Sequence, residues 1–196
     1  MTELHVDTPV ATGGPLPKTI AARGVTRCIV RSAVLLARRR VQLPRGNVGR
    51  RLRFADGSVA RVYRETRLRE AAPARPCVLV VGFRLRWVRG RGHAAFRVES
   101  LLNTPLFVGF PGFVSKLWLA HDGADRYRGL YEWDGARAAR RYAGCLWWVL
   151  ALVSERASID YRVVEGVRRD DVLADPRLLD GVEPGEDRAW WRLTAA

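Results

Sequence analysis

The residues of this chain that could do chemistry are aromatic side chains with a few polar groups set among them. Aromatic rings offer a flat organic molecule a large contact area, and a small number of polar groups can then fix its orientation. The polar groups available for that task are His93, Asn103 and Tyr142. We predict that His93 and Tyr142 are the catalytic residues of such a pocket. The predicted substrate-binding residues are Trp87, Phe96, Asn103, Trp118, Tyr131, Trp133 and Trp147. The alternative that stays open is that these aromatic residues only fill the core.

Sequence signatures of cofactor or metal chemistry are missing. The chain has no glycine-rich dinucleotide fingerprint, no phosphate-binding loop, no His-Glu-x-x-His motif and no Gly-x-Ser-x-Gly motif. It has three histidines and three cysteines, and no two cysteines have the spacing of a metal-ligand pair. We therefore expect no metal and no cofactor. Cys28, Cys77 and Cys145 are predicted to be buried, reduced thiols.

The chain is strongly basic, with a formal net charge of +14. Such a charge is typical of proteins that bind nucleic acid or an anionic membrane. Lysine occurs only at positions 18 and 116, so nearly all of the positive charge is arginine. Apart from a cluster at Arg38–Arg40, the arginines are spread along the chain. Because the arginines are spread in this way, we do not expect a nucleic-acid partner. This distribution leaves open a peripheral membrane contact through a basic helix at residues 18–42.

Nothing in the sequence predicts secretion or a membrane span. The N-terminus lacks a basic start followed by an apolar run. The longest apolar run, Cys145–Val153, has nine residues, whereas a spanning helix needs about 20. We expect a cytoplasmic protein.

The elements that would position the aromatic residues form a β-α-β-β-α-β series within residues 77–165, the order of a ferredoxin-like α+β fold. On the second helix, the stripe that contains Ala139, Tyr142 and Leu146 should pack on the sheet. Asp134 is the expected N-cap of that helix. The apolar segment 106–112 is expected to be covered, because loops that face water are usually polar. The predicted bounds are strand 77–88, helix 93–103, which Thr104-Pro105 ends, strand 113–121, strand 126–133, helix 136–154 and strand 158–164.

Three further segments flank this series. Residues 1–16 are rich in Thr, Gly and Pro and are expected to be flexible. Residues 17–72 predict a helix at 18–42 and a β-hairpin whose turn is Asp56-Gly57. A proline-containing linker then marks the start of the main domain at residue 77. In the tail, residues 166–196, Trp190 and Trp191 are expected to dock on the body of the protein.

Four motifs carry a resemblance to a known superfamily. They are Pro111-Gly112-Phe113, Lys116-Leu117-Trp118, Gly129-Leu130-Tyr131-Glu132-Trp133 and the alanine-rich helix start Arg137–Tyr142. With the β-α-β-β-α-β order, residues 77–165 resemble the dimeric α+β barrel proteins. The most similar subgroup is the YdhR-like monooxygenases, which are related in fold to antibiotic-biosynthesis monooxygenases.

The resemblance implies a homodimer whose sheets face each other and a small-molecule pocket between sheet and helices. It also implies oxidation of an aromatic or polycyclic substrate without metal or flavin, in which the anion of the substrate activates oxygen. The protein would then supply orientation and a proton acceptor. Residues 1–75 and the tail lie outside the family pattern and could cover the pocket or replace the dimer contact. The alternative function is a non-catalytic interaction protein whose basic N-terminal helix docks on an anionic membrane or partner.

Overall fold

The computed structural model describes residues 14–69, 72–86, 100–182 and 189–196, with no side chains described at 100–102. In these ranges the chain has a mixed α+β fold, built from a curled antiparallel sheet and three α-helices. Trp87, His93 and Phe96 lie outside the described residues, as does most of the predicted helix 93–103. The described end of that segment, Ser100–Leu106, is a 3-10 helix that continues through Pro105. The predicted stop at Thr104-Pro105 is therefore wrong.

The helices and strands are numbered in chain order. The helices are α1 (Lys18–Ala37), α2 (Ala136–Val153) and α3 (Arg169–Ala174). The strands are β1 (Val41–Gln42), β2 (Arg51–Phe54), β3 (Val59–Leu68), β4 (Pro76–Arg84), β5 (Phe113–Leu119), β6 (Arg126–Asp134), β7 (Asp160–Glu165) and β8 (Leu193–Ala195). Two shorter 3-10 helices are Arg156–Ser158 and Pro176–Leu179.

All strands belong to one sheet with the order β7-β4-β6-β5-β3-β2-β8, and β1 pairs with β3. The predicted hairpin is confirmed: β2 and β3 flank Asp56-Gly57, and Gly57 has the positive φ of 81° that this turn requires. Strand β3 then pairs antiparallel with β5, from Arg67 opposite Ser115 to Val62 opposite Leu119. The N-terminal hairpin therefore extends the same sheet that carries the β-α-β-β-α-β series.

The ends of α1 and β4 differ most from the sequence prediction, and the other strands differ by one or two residues. Helix α1 ends at Ala37 rather than Gln42, because Arg39 takes a positive φ of 52° and the chain then enters β1, where it gains ladder bonds to β3. Strand β4 ends at Arg84 rather than Val88. Beyond it, Leu85 forms an isolated bridge with Ser154, which follows α2.

The sheet buries both of its faces. One face, here called the helix face, packs against α1, α2 and the segment that precedes β5. In that segment Phe107, Val108 and Phe110 are buried, which confirms that this apolar loop is covered. Gly109 allows the loop to touch α1 closely, since a Cβ there would lie 2.8 Å from the Ser32 amide nitrogen.

The other face, here called the tail face, packs against α3 and the segments that follow it. Trp190 and Trp191 are buried there, which confirms that the tail docks on the body. The Trp190 ring lies over Gly82 of β4, where a Cβ would be 2.6 Å from the ring, and its Nε1 donates a hydrogen bond to Asp160 Oδ2 at 3.0 Å. The tail therefore covers one of the two buried faces of the sheet.

Two further expectations are tested by the fold. Cys28, Cys77 and Cys145 are free and buried, as predicted. In the ranges that are described, no helix combines the length and the apolar character needed to cross a membrane.

Candidate functional site

A cavity of about 240 Å³ lies between the helix face of the sheet and the C-terminal half of α2. Its size suits a small flat molecule. Strands β4, β5 and β6 form its floor, and α2 and the end of the 3-10 helix Ser100–Leu106 form its walls. The residues that line this aromatic pocket include Phe83, Asn103, Phe107, Lys116, Trp118, Tyr127, Tyr131, Tyr142, Leu146 and Val149.

The structure brings together some of the residues predicted for a ligand site. Asn103, Trp118, Tyr131 and Tyr142 all line the aromatic pocket. Trp133 does not line it: its ring is fully buried in the core, 5.5 Å from Phe113 between ring centroids.

Trp147 also lies away from the pocket, because it packs edge-on against Trp148 with ring centroids 5.0 Å apart. Helical periodicity could not show that Trp147 and Trp148 lie outside the pocket, because it places both tryptophans only at the flanks of the buried stripe of α2. His93, Trp87 and Phe96 fall outside the described residues.

Lys116 is the pocket residue that the sequence reasoning missed. It is 7% exposed, and it projects from the helix face of β5 next to Trp118. Its Nζ lies 3.1 Å from the centroid of the Trp118 ring and 4.7 Å from the centroids of Phe107 and Tyr131. The available signal was its rarity, because it is one of two lysines in a chain that otherwise uses arginine.

The surroundings of Lys116 favour its neutral amine. Burial lowers the pKa of Lys116 well below its ordinary value, and the Arg64 guanidinium, a like charge, lowers it further. Aromatic faces attract an ammonium by about 2 kcal/mol when water is excluded. That attraction offsets only part of the several kcal/mol that an unpaired buried ion costs. Among the described residues, Lys116 has no carboxylate partner.

Two tyrosine hydroxyls meet on the wall of the pocket. The Tyr142 hydroxyl donates a hydrogen bond to the Tyr131 hydroxyl at 3.1 Å. Burial raises the pKa of both phenols. Both groups are therefore neutral near pH 7, and Tyr142 can donate a proton or a hydrogen bond but is not a ready base.

The Trp118 ring is fixed from several sides. Its Nε1 donates to Thr66 Oγ1 at 3.1 Å, and the Phe107 ring meets it edge-on at 5.3 Å. The Arg64 guanidinium lies 5.2 Å from the ring centroid and donates to Thr104 Oγ1 at 2.7 Å. The Lys116 amine and the Arg64 guanidinium thus both lie against a Trp118 ring that is held in place by its neighbours.

Helix α2 places its buried stripe as predicted for its first half. Ala139 and Tyr142 are fully buried against the sheet, whereas Val153 is largely exposed at the other end. The predicted N-cap is wrong: Gly135, with a positive φ of 93°, holds that position without a side-chain cap. The Asp134 carboxylate instead accepts a hydrogen bond from the backbone of Arg75 at 2.8 Å, since it points back toward the start of β4.

A second, larger cavity of about 1030 Å³ lies at the opposite end of α2, between that end and α1. We call it the arginine cleft. Among the described residues it has two carboxylates, Asp134 and Glu165, and Arg140 pairs with Glu165 at 2.6 Å. The cleft is therefore strongly positive. Its arginines are Arg27, Arg31, Arg75, Arg137, Arg140 and Arg141.

Neither cavity resembles a metal site. Across the described ranges, no three His, Cys, Asp or Glu side chains lie close enough together to hold a metal ion. The aromatic pocket could hold an organic molecule by its rings and by the Lys116 amine, and the arginine cleft could attract anions.

Comparison with known proteins gave no significant match to a family model, to a curated protein or to a solved structure. The chain is therefore interpreted from its own residues and geometry.

Proposed function

We propose that the protein binds a flat, largely apolar organic molecule in the aromatic pocket. The observation that carries this proposal is Lys116, an amine without a carboxylate partner among the described residues, on the wall of a cavity lined mainly by rings and aliphatic side chains. A buried lysine costs stability, so a fold that only needed a filled core would be better served by an apolar residue there. The Tyr131–Tyr142 pair and Asn103 supply further groups that can orient a ligand.

The strand order supports the finer description of the fold that the resemblance implies. We propose that β4 to β7 form a ferredoxin-like core of the dimeric α+β barrel type. In a split βαβ fold, the fourth, first, third and second strands lie side by side and antiparallel. The order β7-β4-β6-β5 has this arrangement, and α2 connects β6 to β7 as the second helix should.

The homodimer implied by the same resemblance would use the sheet face that lies opposite the helices. Residues of the tail cover that face, with Trp190 and Trp191 buried on it. This arrangement favours a tail that replaces the dimer contact.

Oxygenation without a cofactor is the reaction class that we propose for the pocket. Oxidation of a CH₂ carbon by O₂ yields a carbonyl group and one water molecule, which balances without another reductant. The part left to the protein is to remove a proton from the substrate, and a neutral amine is suited to accept it. Lys116 takes this role in place of Tyr142, because burial keeps the Tyr142 phenol protonated.

Binding of 2-naphthol, a flat molecule with an acidic hydroxyl, tests the pocket. We expect titration calorimetry to detect binding to the wild type and an affinity at least 10-fold lower for Trp118→Ala. The matched control is Trp147→Ala, which removes a tryptophan of α2 that does not line the pocket. Circular dichroism would verify that both variants are folded. Equal affinities for the two variants would contradict the assignment.

A second candidate function rests on the exposed apolar side of α1. Val30 is 64% exposed, and its neighbours on the helix are largely uncovered as well. Arg27 and Arg31 of the same helix border the arginine cleft. Apolar residues beside arginines on one helix are typical of a segment that lies on an anionic membrane. The exposed apolar residues of α1 are Ile20, Ile29, Val30, Val34 and Leu36.

Vesicle sedimentation separates this candidate from the first. The membrane interpretation predicts binding to phosphatidylglycerol vesicles at low salt, weakened by high salt and by the substitution Val30→Ser. The control is Leu178→Ser, an exposed leucine outside α1 with 47% exposure. Absence of binding at low salt, or an equal effect of both substitutions, would exclude it.

A further inference from the structure

The geometry points to a covalent use of the aromatic pocket: we propose that Lys116 forms an imine with the aldehyde or ketone group of a flat, conjugated ligand. This inference rests on the proposed function, because it requires the pocket to admit such a molecule. It adds the chemical class of the ligand, a carbonyl compound, and a defined bond between the ligand and the protein.

The Lys116 amine is available to attack a carbonyl carbon. Only a neutral amine has the lone pair that attacks a carbonyl carbon, and lysines desolvated in apolar pockets are known to act in this way. Lys116 is 7% exposed and faces rings on three sides. No described carboxylate pairs with its amine, so no ion pair must break before the attack.

Charged and titratable residues from several elements lie near Lys116. Arg64 projects from β3, Tyr131 from β6 and Tyr142 from α2. Burial and the like charge of the Arg64 guanidinium disfavour an ammonium at this place. The two phenols, kept neutral by burial, supply no anion that would hold one. Among the described residues, the surroundings of Lys116 are therefore suited to a neutral nucleophile.

Formation of the imine balances in atoms and electrons. The Lys116 nitrogen attacks the carbonyl carbon, and the π electron pair moves to the oxygen to give a carbinolamine. The two hydrogens of the amine leave with that oxygen as water, and a carbon–nitrogen double bond remains. The step needs no oxidant or reductant. The Tyr131 hydroxyl is protonated and accepts the hydrogen bond from Tyr142, so its own hydrogen can be donated to the departing oxygen.

The rings around Lys116 favour reaction of a flat carbonyl compound at this lysine. Trp118, Phe107 and Tyr131 surround the amine, so a carbonyl group attached to a flat ring system could stack while it reacts. The other lysine of the chain, Lys18, offers a contrast. It is exposed on α1, and the ring near its Nζ is Trp148, at 4.9 Å, outside the pocket.

Because the chain has only two lysines, an adduct on a lysine side chain can be assigned by comparing two single variants. The protein is incubated at pH 7 with 2-naphthaldehyde and sodium cyanoborohydride, which reduces an imine to a stable secondary amine. Intact mass and peptide mapping then locate the adduct. We expect a single dominant adduct on Lys116, which Lys116→Met abolishes and Lys18→Met leaves unchanged.

The outcomes distinguish this inference from the proposed function. If the wild type binds 2-naphthol but Lys116 is labelled no faster than Lys18 or the N-terminal amine at pH 7, the imine is excluded and the pocket stands. If neither 2-naphthol binds nor Lys116 is labelled, the pocket assignment falls as well. Dominant labelling of Lys116 that disappears in Trp118→Ala would support both.

Discussion

The two faces of the sheet treat buried cations in opposite ways. On the tail face, Arg169 is fully buried and its guanidinium lies 2.7 Å from the Glu65 carboxylate. Arg128 on the same face pairs with Asp122 and Asp56 and also donates to the Trp190 carbonyl. On the helix face, the buried Lys116 is surrounded by rings and has no carboxylate partner among the described residues.

In the proposed function, this difference distinguishes a face that stabilises the fold from a face that binds the ligand. A buried charge that is paired and hydrogen-bonded is compatible with a packed core. A buried amine beside a cavity costs free energy and has no structural compensation that the described residues show. Sites where a sequence departs from the stable choice are often functional sites. The tail face therefore holds the fold together, and the helix face carries the proposed chemistry.

The largest expected effect comes from breaking a pair on the tail face. Arg169→Ala would leave the Glu65 carboxylate buried without its partner, and removal of one member of a buried pair typically costs about 3–5 kcal/mol. Urea unfolding followed by tryptophan fluorescence would measure the change. The control is Arg177→Ala, because Arg177 pairs with Asp175 on the surface and its loss should leave the unfolding free energy unchanged. A small effect of Arg169→Ala would remove the contrast between the two faces.

A smaller effect of opposite sign is expected on the helix face. Lys116→Met keeps the length of the side chain and removes the amine, so it should stabilise the protein at pH 7. Replacement of buried charged groups by apolar ones often gains about 1–4 kcal/mol, and each kcal/mol raises Tm by about 2–4 °C in a chain of this size. Thermal unfolding at pH 7 checks this. A lower Tm for Lys116→Met would show that the aromatic rings stabilise an ammonium after all.

The same variant predicts a pH dependence. The pKa of Lys116 is lower in the folded state than in the unfolded state, so between the two values the unfolded chain binds the extra proton. Wild-type stability must therefore rise with pH across that window, up to the ordinary value of 10.5. Since the variant lacks this contribution, its stability advantage should shrink as the pH approaches 10.5. Urea unfolding at several pH values measures it, and an advantage that does not change with pH would contradict the lowered pKa.

The smallest expected effect concerns the tyrosine pair of the pocket. Tyr142→Phe removes one hydrogen bond and leaves the Tyr131 hydroxyl without that partner, a loss of about 1 kcal/mol. Tyr131→Phe should cost a similar amount, and the double variant should cost less than the sum, because both hydroxyls belong to one bond. Strict additivity in urea unfolding would mean that the two hydroxyls do not act together. The affinity for 2-naphthol should also fall in Tyr142→Phe if this hydroxyl orients the ligand.

Much of the fold was accessible from local patterns. The hairpin at Asp56-Gly57, the paired strands before α2 and the burial of Trp190 and Trp191 follow from turn chemistry and apolar periodicity. The pairing of β3 with β5 did not, because strand partners far apart in sequence leave no local signal. For the same reason, the sequence could not show that the N-terminal hairpin and the β-α-β-β-α-β series share one sheet.

The candidate site was only half predictable. Aromatic content indicated Trp118, Tyr131 and Tyr142, and these residues do share a cavity. The importance of Lys116 depends on its surroundings, and the absence of a carboxylate beside it among the described residues is a property of three-dimensional packing. Trp133 and Trp147 show the converse, since their residue type fits a pocket and their positions place them elsewhere.

The position of the tail has a consequence for biosynthesis. Strands β2 to β7 can pair before Trp190, Trp191 and β8 have been made, because these residues come after the strands whose tail face they cover. At roughly 5–20 residues per second, that apolar face stays open for a time on the order of seconds on each ribosome. During this interval the nascent chain exposes an apolar sheet surface. The yield of the protein in a cell should therefore depend on chaperones that cover this surface until Trp190 and Trp191 have been synthesised.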